Sequence, residues 1–330
     1  MLTEILSTMS RFFAVSKFII ILSMIFISCD PNQETPEKNE ITGHPVLSRE
    51  EVISAYENIY LSTTVNDPQW TGDIETCDPG TVPESVSNKV LARINFYRVM
   101  CGLPGDIVFV DEKNQKCQYA ALMFHKNSNL SHDPPTNWEC WTAMGHEAAQ
   151  SSNIGLGSAN TPVHTSNAID YYIEDDATSN ESLGHRRWIL YSKAKYMGHG
   201  STTRANAIWV AGNENNPVPD DLPQFIAYPP PGFIPYPLCY RKWSFSVPEA
   251  NFEAASVVMT DQYGNETDLT VTYKTSIGDP IIGDNSIAWL PDISLSATED
   301  NTFTVTIDNV ELFGELFSYT YDVTVIPAEE

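Results

Sequence analysis

The chain has 330 residues, 42% of them hydrophobic and 18% charged, a globular composition on a length too great for one ordinary core. Its 43 acidic side chains against 18 basic ones leave a formal net charge of −25, which repels phosphate backbones and anionic membrane surfaces. No nucleic acid partner is expected.

In chain order, Arg11 and Lys17 precede an apolar run from Phe18 to Ile27 that is too short to cross a bilayer as a helix. This is the pattern of a signal peptide over residues 1–28. It ends in Phe26-Ile27-Ser28-Cys29, close to a bacterial lipobox, so Cys29 is expected to carry lipid and to anchor the exported protein in the cell envelope, on its periplasmic or outer face. Residues 29–46 offer little to bury and read as a flexible tether. Ser48-Arg49-Glu50-Glu51 has capping-box spacing ahead of Val52, Ala55, Ile59 and Tyr60, which predicts a short helix opening an irregular extension over 47–83.

From Ser85, the residues Val86, Val90, Ile94, Tyr97 and Cys101 recur at helical spacing until Gly102 and Pro104 end the run. A second helix is predicted from about Glu112, with Cys117, Ala120, Ala121 and Phe124 on one face. A third begins near Thr165, with Ala168, Ile169, Tyr172 and Ile173 on its apolar side. It ends in Glu174, Asp175 and Asp176, where carboxylates oppose the helix dipole; either a cation, a local role or a solvated loop accounts for them. Gly155-Leu156-Gly157-Ser158 reads as a flexible turn, and Ala207 to Ala211 as a buried strand. Residues 212–240 are Pro-rich and predict an extended strap.

After Trp243, strand-like runs follow at Ser256 to Met259, Leu269 to Tyr273, Ile287 to Leu290, Phe303 to Ile307 and Tyr319 to Val325, the last two with plain period-two alternation. With Trp289 as core anchor, residues 243–330 read as an immunoglobulin-like β-sandwich. Once Cys29 is assigned to lipid, Cys77, Cys101, Cys117, Cys140 and Cys239 remain, an odd number. Export permits disulfides; Cys117 with Cys140 is the preferred pair, and buried free thiols are the alternative.

Four patterns in the middle region stand in a specific order. They are Asn95-Phe96-Tyr97-Arg98 followed by Gly102-Leu103, then Leu130-Ser131-His132, then Ser152-Asn153-Ile154, then Gly184-His185-Arg186-Arg187-Trp188-Ile189-Leu190. Together, over roughly residues 84 to 215, they resemble the CAP superfamily, the cysteine-rich secretory or SCP-like extracellular proteins, in its bacterial branch. The resemblance implies an α+β chain: a CAP-type α-β-α sandwich over 84–242, strap included, followed by the all-β sandwich.

The resemblance also implies a cleft holding two His and two acidic side chains, with a divalent metal in some members. His132 and His185 match the two His, and Tyr171-Tyr172-Ile173-Glu174 matches the segment that supplies one acid, Glu174. Ser152 stands where a Gly-Glu-Asn motif supplies the other. Two neutral imidazoles and a carboxylate suit a zinc-like ion, so His132, Glu174 and His185 form the candidate metal set. Gly145-His146-Glu147-Ala148-Ala149-Gln150 lacks the second His of a zinc-protease helix and reads as a helix near the cleft, with Glu147 a substitute for the missing acid only if the backbone brings it round.

Three functions compete. The first is a non-catalytic binding module whose cleft (His132, Ser152, Glu174, His185) meets a small molecule, lipid or protein. The second is a hydrolase using metal-activated water, or Ser152 with a His as general base. The third is a surface adhesin or spacer with a vestigial cleft.

Overall fold

A computed structural model describes residues 39–41, 46–176, 180–279 and 282–328. Its helices are α1 (Arg49–Ala55), α2 (Glu84–Met100), α3 (Asp111–Asn127), α4 (Ala143–Ser151), α5 (Thr165–Glu174) and α6 (Gly184–Ile189). Its strands run from β1 (Asn39–Ile41), β2 (Val108–Phe109), β3 (Ser152–Leu156), β4 (Tyr196–Ser201) and β5 (Ala205–Trp209) through β6 (Ile226–Tyr228), β7 (Gly232–Pro235) and β8 (Trp243–Ser246). They continue with β9 (Ser256–Asp261), β10 (Leu269–Lys274), β11 (Ser286–Pro291), β12 (Asn301–Leu312) and β13 (Glu315–Ile326). The expected signal peptide over 1–28 and Cys29 lie outside the described residues.

Alternation along β5 explains the first half of the fold. Ala205, Ala207 and Trp209 point to one face, where they pack with Cys117, Ala120, Ala121 and Phe124 of α3 and Ala148 and Ala149 of α4. Ile208 and the following Val210 point to the other, against Ile94 of α2, Ile169, Tyr172 and Ile173 of α5, and Ile189 of α6. A four-stranded sheet in the order β2-β4-β5-β3 therefore lies between two helical layers, the expected α-β-α arrangement. Gly198 and Gly200 let α3 lie directly on β4: a Cβ at Gly200 would sit 2.2 Å from the backbone nitrogen of Gln118. Gly155-Leu156 is the end of β3 and not a flexible turn; a Cβ on Gly155 would come within 2.6 Å of Val163.

The second half is a β-sandwich. One sheet runs β1-β13-β12-β9, with β7 also on β13; the other runs β10-β11-β8-β6. Their inner faces meet through aromatic rings, Phe245 against Tyr319 at 5.1 Å and Trp243 against Phe303 at 5.9 Å between centroids. Trp289 is fully buried beside Trp243, the anchor role expected of it.

Three readings change. The Pro-rich stretch is not a strap closing the first domain: it supplies β6 to one sheet of the sandwich and β7 to the other. Prolines read as strand breakers because they lack the ladder N–H, yet both strands lie at sheet edges, where that donor is not required. Within the expected tether, β1 pairs in parallel with Phe317 to Tyr319 of β13. Cys140 is bonded to Cys77 and not to Cys117. Cys117 lies on the inward face of α3 with no exposure, out of reach of the loop that carries Cys140. The extension over 47–83 is thereby fastened to the first half, and its α1, closed by the reciprocal Ser48 and Glu51 capping bonds, buries Val52 and Ala55 in the main core.

Candidate functional site

The site forms where α5 ends. Asp175 follows the helix in a left-handed conformation (φ 46°), tolerated by Asp, and this turns its side chain back toward α6. The carboxylate is 1% exposed and accepts four hydrogen bonds. Oδ2 takes the backbone N–H groups of His185 (3.1 Å) and Arg186 (3.2 Å); Oδ1 takes His185 Nδ1 (2.9 Å) and Asn180 Nδ2 (2.8 Å). A carboxylate only accepts, so in the neutral ring the His185 proton sits on Nδ1 and Nε2 carries the lone pair.

His132 is oriented the same way by a different group. Its Nδ1 donates to the carbonyl of Ala149 at 2.7 Å, near the end of α4, which again leaves Nε2 as the free nitrogen. No described residue bonds to Nε2 of either ring. Both line one cavity of about 440 Å³, together with Gln150, Asn153 and Asn180 on its polar side and Trp188, Val210 and Ile282 on its apolar side. Asn153 is buried and donates to the His185 carbonyl at 2.9 Å, tying β3 to α6. Buried His199 differs: Ser87 and Ser201 engage both of its nitrogens, and burial pushes its pKa down to about 3, the state of a structural imidazole.

The two arginines of the Gly-His-Arg-Arg run hold α6 in place. Arg186 donates to the Glu174 carbonyl (2.9 Å) and to Ser244 of β8 (3.1 Å), and lies over the Tyr228 ring. Its guanidinium satisfies the carbonyls of Ile173 and Glu174 at the end of α5. Arg187 donates to the Asp284 carbonyl at 3.0 Å. On the far side, Asn95 accepts from the Ile107 N–H and Arg98 donates to the carbonyls of Ile189 and Tyr191, so both fix α2 to neighbouring segments.

Residues 91–211 match the model of the cysteine-rich secretory protein family, CAP. This segment is a CAP domain. No curated protein and no solved structure matches the chain.

Of the four predicted cleft residues of the CAP domain, His132, Ser152 and His185 line the cavity and Glu174 does not. Glu174 is exposed on α5, its carboxyl held above the usual range by partial burial and by Asp176. The acid beside His185 is Asp175. The clue was present in the sequence, since three carboxylates at a helix end call for an explanation. Ser152 contributes to the wall, but its hydroxyl faces Cys117 Sγ at 3.7 Å inside the core, so it cannot be the nucleophile paired with a His. Glu147 is not the substitute acid either; it is exposed and bonded to Lys116.

The donor set does not fit a zinc centre. Among the described residues no group of three or more His, Cys, Asp or Glu converges, and zinc sites use at least three protein ligands. Asp175 instead takes the place of the outer acceptor that orients an imidazole.

Proposed function

We propose that the chain is an exported CAP-domain protein whose cleft binds a ligand or partner without transforming it. The observation that carries this reading is the matched state of the two rings: each has Nδ1 tied to an oxygen, so two Nε2 acceptors are presented to one cavity. Around them stand neutral amides and an apolar side, which favours an uncharged ligand rich in hydroxyl or amide groups with an apolar portion. Lipid anchorage at Cys29 in the bacterial envelope is part of the proposal. Its supports are the signal-peptide pattern, the secretory family and the Cys77–Cys140 disulfide, a bond of oxidising compartments. Among the described residues no helix is long and apolar enough to cross a membrane.

A library of neutral hydroxyl and amide fragments, screened by ligand-observed NMR against the full chain, tests the reading. Hits lost in His132→Ala with His185→Ala support it; an absence of hits, or hits indifferent to both substitutions, refutes it.

One observation favours a second reading, a hydrolase. A buried Asp bonded to Nδ1 of a His with free Nε2 is the arrangement of a general base, here with water as nucleophile. Turnover of activated esters that disappears in His185→Ala would establish it in place of binding alone.

A further inference from the structure

The cavity is not built by the CAP domain alone. Ile282, which lines it, belongs to the sandwich, in the segment 282–285 that leads into β11. It lies over the start of α6: a Cβ on Gly184, next to His185, would stand 3.4 Å from Ile282 Cγ2. Three features fasten this segment to the CAP domain. Asp284, buried, accepts from Ser192 N–H at 2.7 Å with Oδ2 and from Ser192 Oγ at 2.8 Å with Oδ1. The Asp284 carbonyl accepts from Arg187 Nε. Gly283, at φ +67°, permits the contact, because a Cβ there would fall 2.4 Å from the Arg187 carbonyl oxygen.

We infer that segment 282–285 of the sandwich is the selective wall of the CAP cleft, with Ile282 setting how bulky an apolar group can approach His185 and Asp284 acting as the positioning residue. The inference rests on the cleft being a binding site. It gives the sandwich a role beyond that of a spacer, since the site is incomplete without it. Ile282 faces the same cavity as Trp188 and Val210, so an apolar portion of a ligand is enclosed by residues from both halves of the chain.

The test needs no natural ligand. Diethyl pyrocarbonate and the bulkier di-tert-butyl dicarbonate both transfer an alkoxycarbonyl group to the Nε2 lone pair. The imidazole loses its Nδ1 proton to solvent, and the leaving alkyl carbonate breaks down to carbon dioxide and alcohol. Rates at His185 are read by peptide mass mapping of the full chain, with His146, on the outer face of α4, as control. Ile282→Ala should raise the bulky-to-small rate ratio at His185 at least fivefold, and Ile282→Trp should slow both reagents at least fivefold. Asp284→Ala should raise the ratio as Ile282→Ala does and should cancel the Trp effect in the double variant. The His146 rates should not change. A His185 ratio within twofold of the wild type in Ile282→Ala, together with both His185 rates within twofold of the wild type in Ile282→Trp and His146 unchanged, overturns the wall. A fragment screen without hits alongside a shielded His185 would remove the binding reading and leave the wall standing.

Discussion

Replacing Asp175 probes the whole logic of the site. Its carboxylate is 1% exposed and accepts four hydrogen bonds, two of them from backbone N–H groups at the start of α6. Hydrogen bonds to a charged group contribute about 1.5–3 kcal/mol each and are not additive within one cluster. Asp175→Ala leaves these donors without their acceptor and should cost about 3–5 kcal/mol, a fall in Tm of about 6–20 °C. Asp175→Asn is more informative. Asn keeps the left-handed backbone, and its single oxygen is claimed by the two backbone N–H groups, so its amide N–H faces His185 Nδ1. That ring must then become an acceptor at Nδ1 and move its proton to Nε2. Long-range proton–nitrogen NMR correlations of the imidazole should show Nδ1–H in the wild type and Nε2–H in the Asn variant, with cleft binding lost although the fold persists. A wild-type ring protonated at Nε2, a Tm change below about 3 °C in the Ala variant, or an unchanged tautomer in the Asn variant would each refute the reasoning.

Gly200→Ala should destabilise by about 3 kcal/mol or more in urea unfolding, because the added methyl meets backbone of α3 and not a movable side chain; a loss under about 1 kcal/mol would show that α3 does not lie so close to β4. Removing the Cys77–Cys140 bond, whose partners are 63 residues apart, should cost about 4 kcal/mol by loop entropy. Non-reducing peptide mapping should recover that link, while Cys117, its thiol pushed up to about 12 by burial, resists alkylation in the native protein; a Cys117–Cys140 peptide would contradict this. Burial raises the Asp284 carboxyl to about 6, against an unfolded value near 3.8, despite the bonds from Ser192. The folded state therefore holds this proton more tightly, and the associated stabilisation is present below about pH 4 and lost as pH rises through 6. Relative to the wild type, Asp284→Asn should accordingly gain about 2.4 kcal/mol between pH 4 and pH 7.5, and a flat difference across that range would refute the assignment.

Much of the fold was legible because burial imposes periods. The apolar faces of α2, α3 and α5 repeat at helical spacing, and β12 and β13 alternate with period two, so each element announced itself locally. The strands β2, β4, β6, β7 and β8 did not. All but β4 are too brief to show a period, β6 and β7 sit beside prolines that edge positions excuse, and β4, Gly-containing and buried on both faces from Met197 on, has no alternation to read. Of the site, His132 and His185 could be placed by motif, whereas the acid was assigned one residue early. Helical phase puts Glu174 on the surface, and only the left-handed turn at Asp175 aims a carboxylate at the ring.

By itself, then, the sequence determined the CAP segment, its two histidines, the layered helices and the β-rich second half, since all of these depend on order and spacing along the chain. Tertiary structure decided which acid orients His185, which cysteine meets Cys140, that Ser152 turns into the core, and that Ile282 closes the cleft from the sandwich. Those are contacts between segments distant in sequence or separated by a reversal of the backbone, and no local period encodes which side chains meet there.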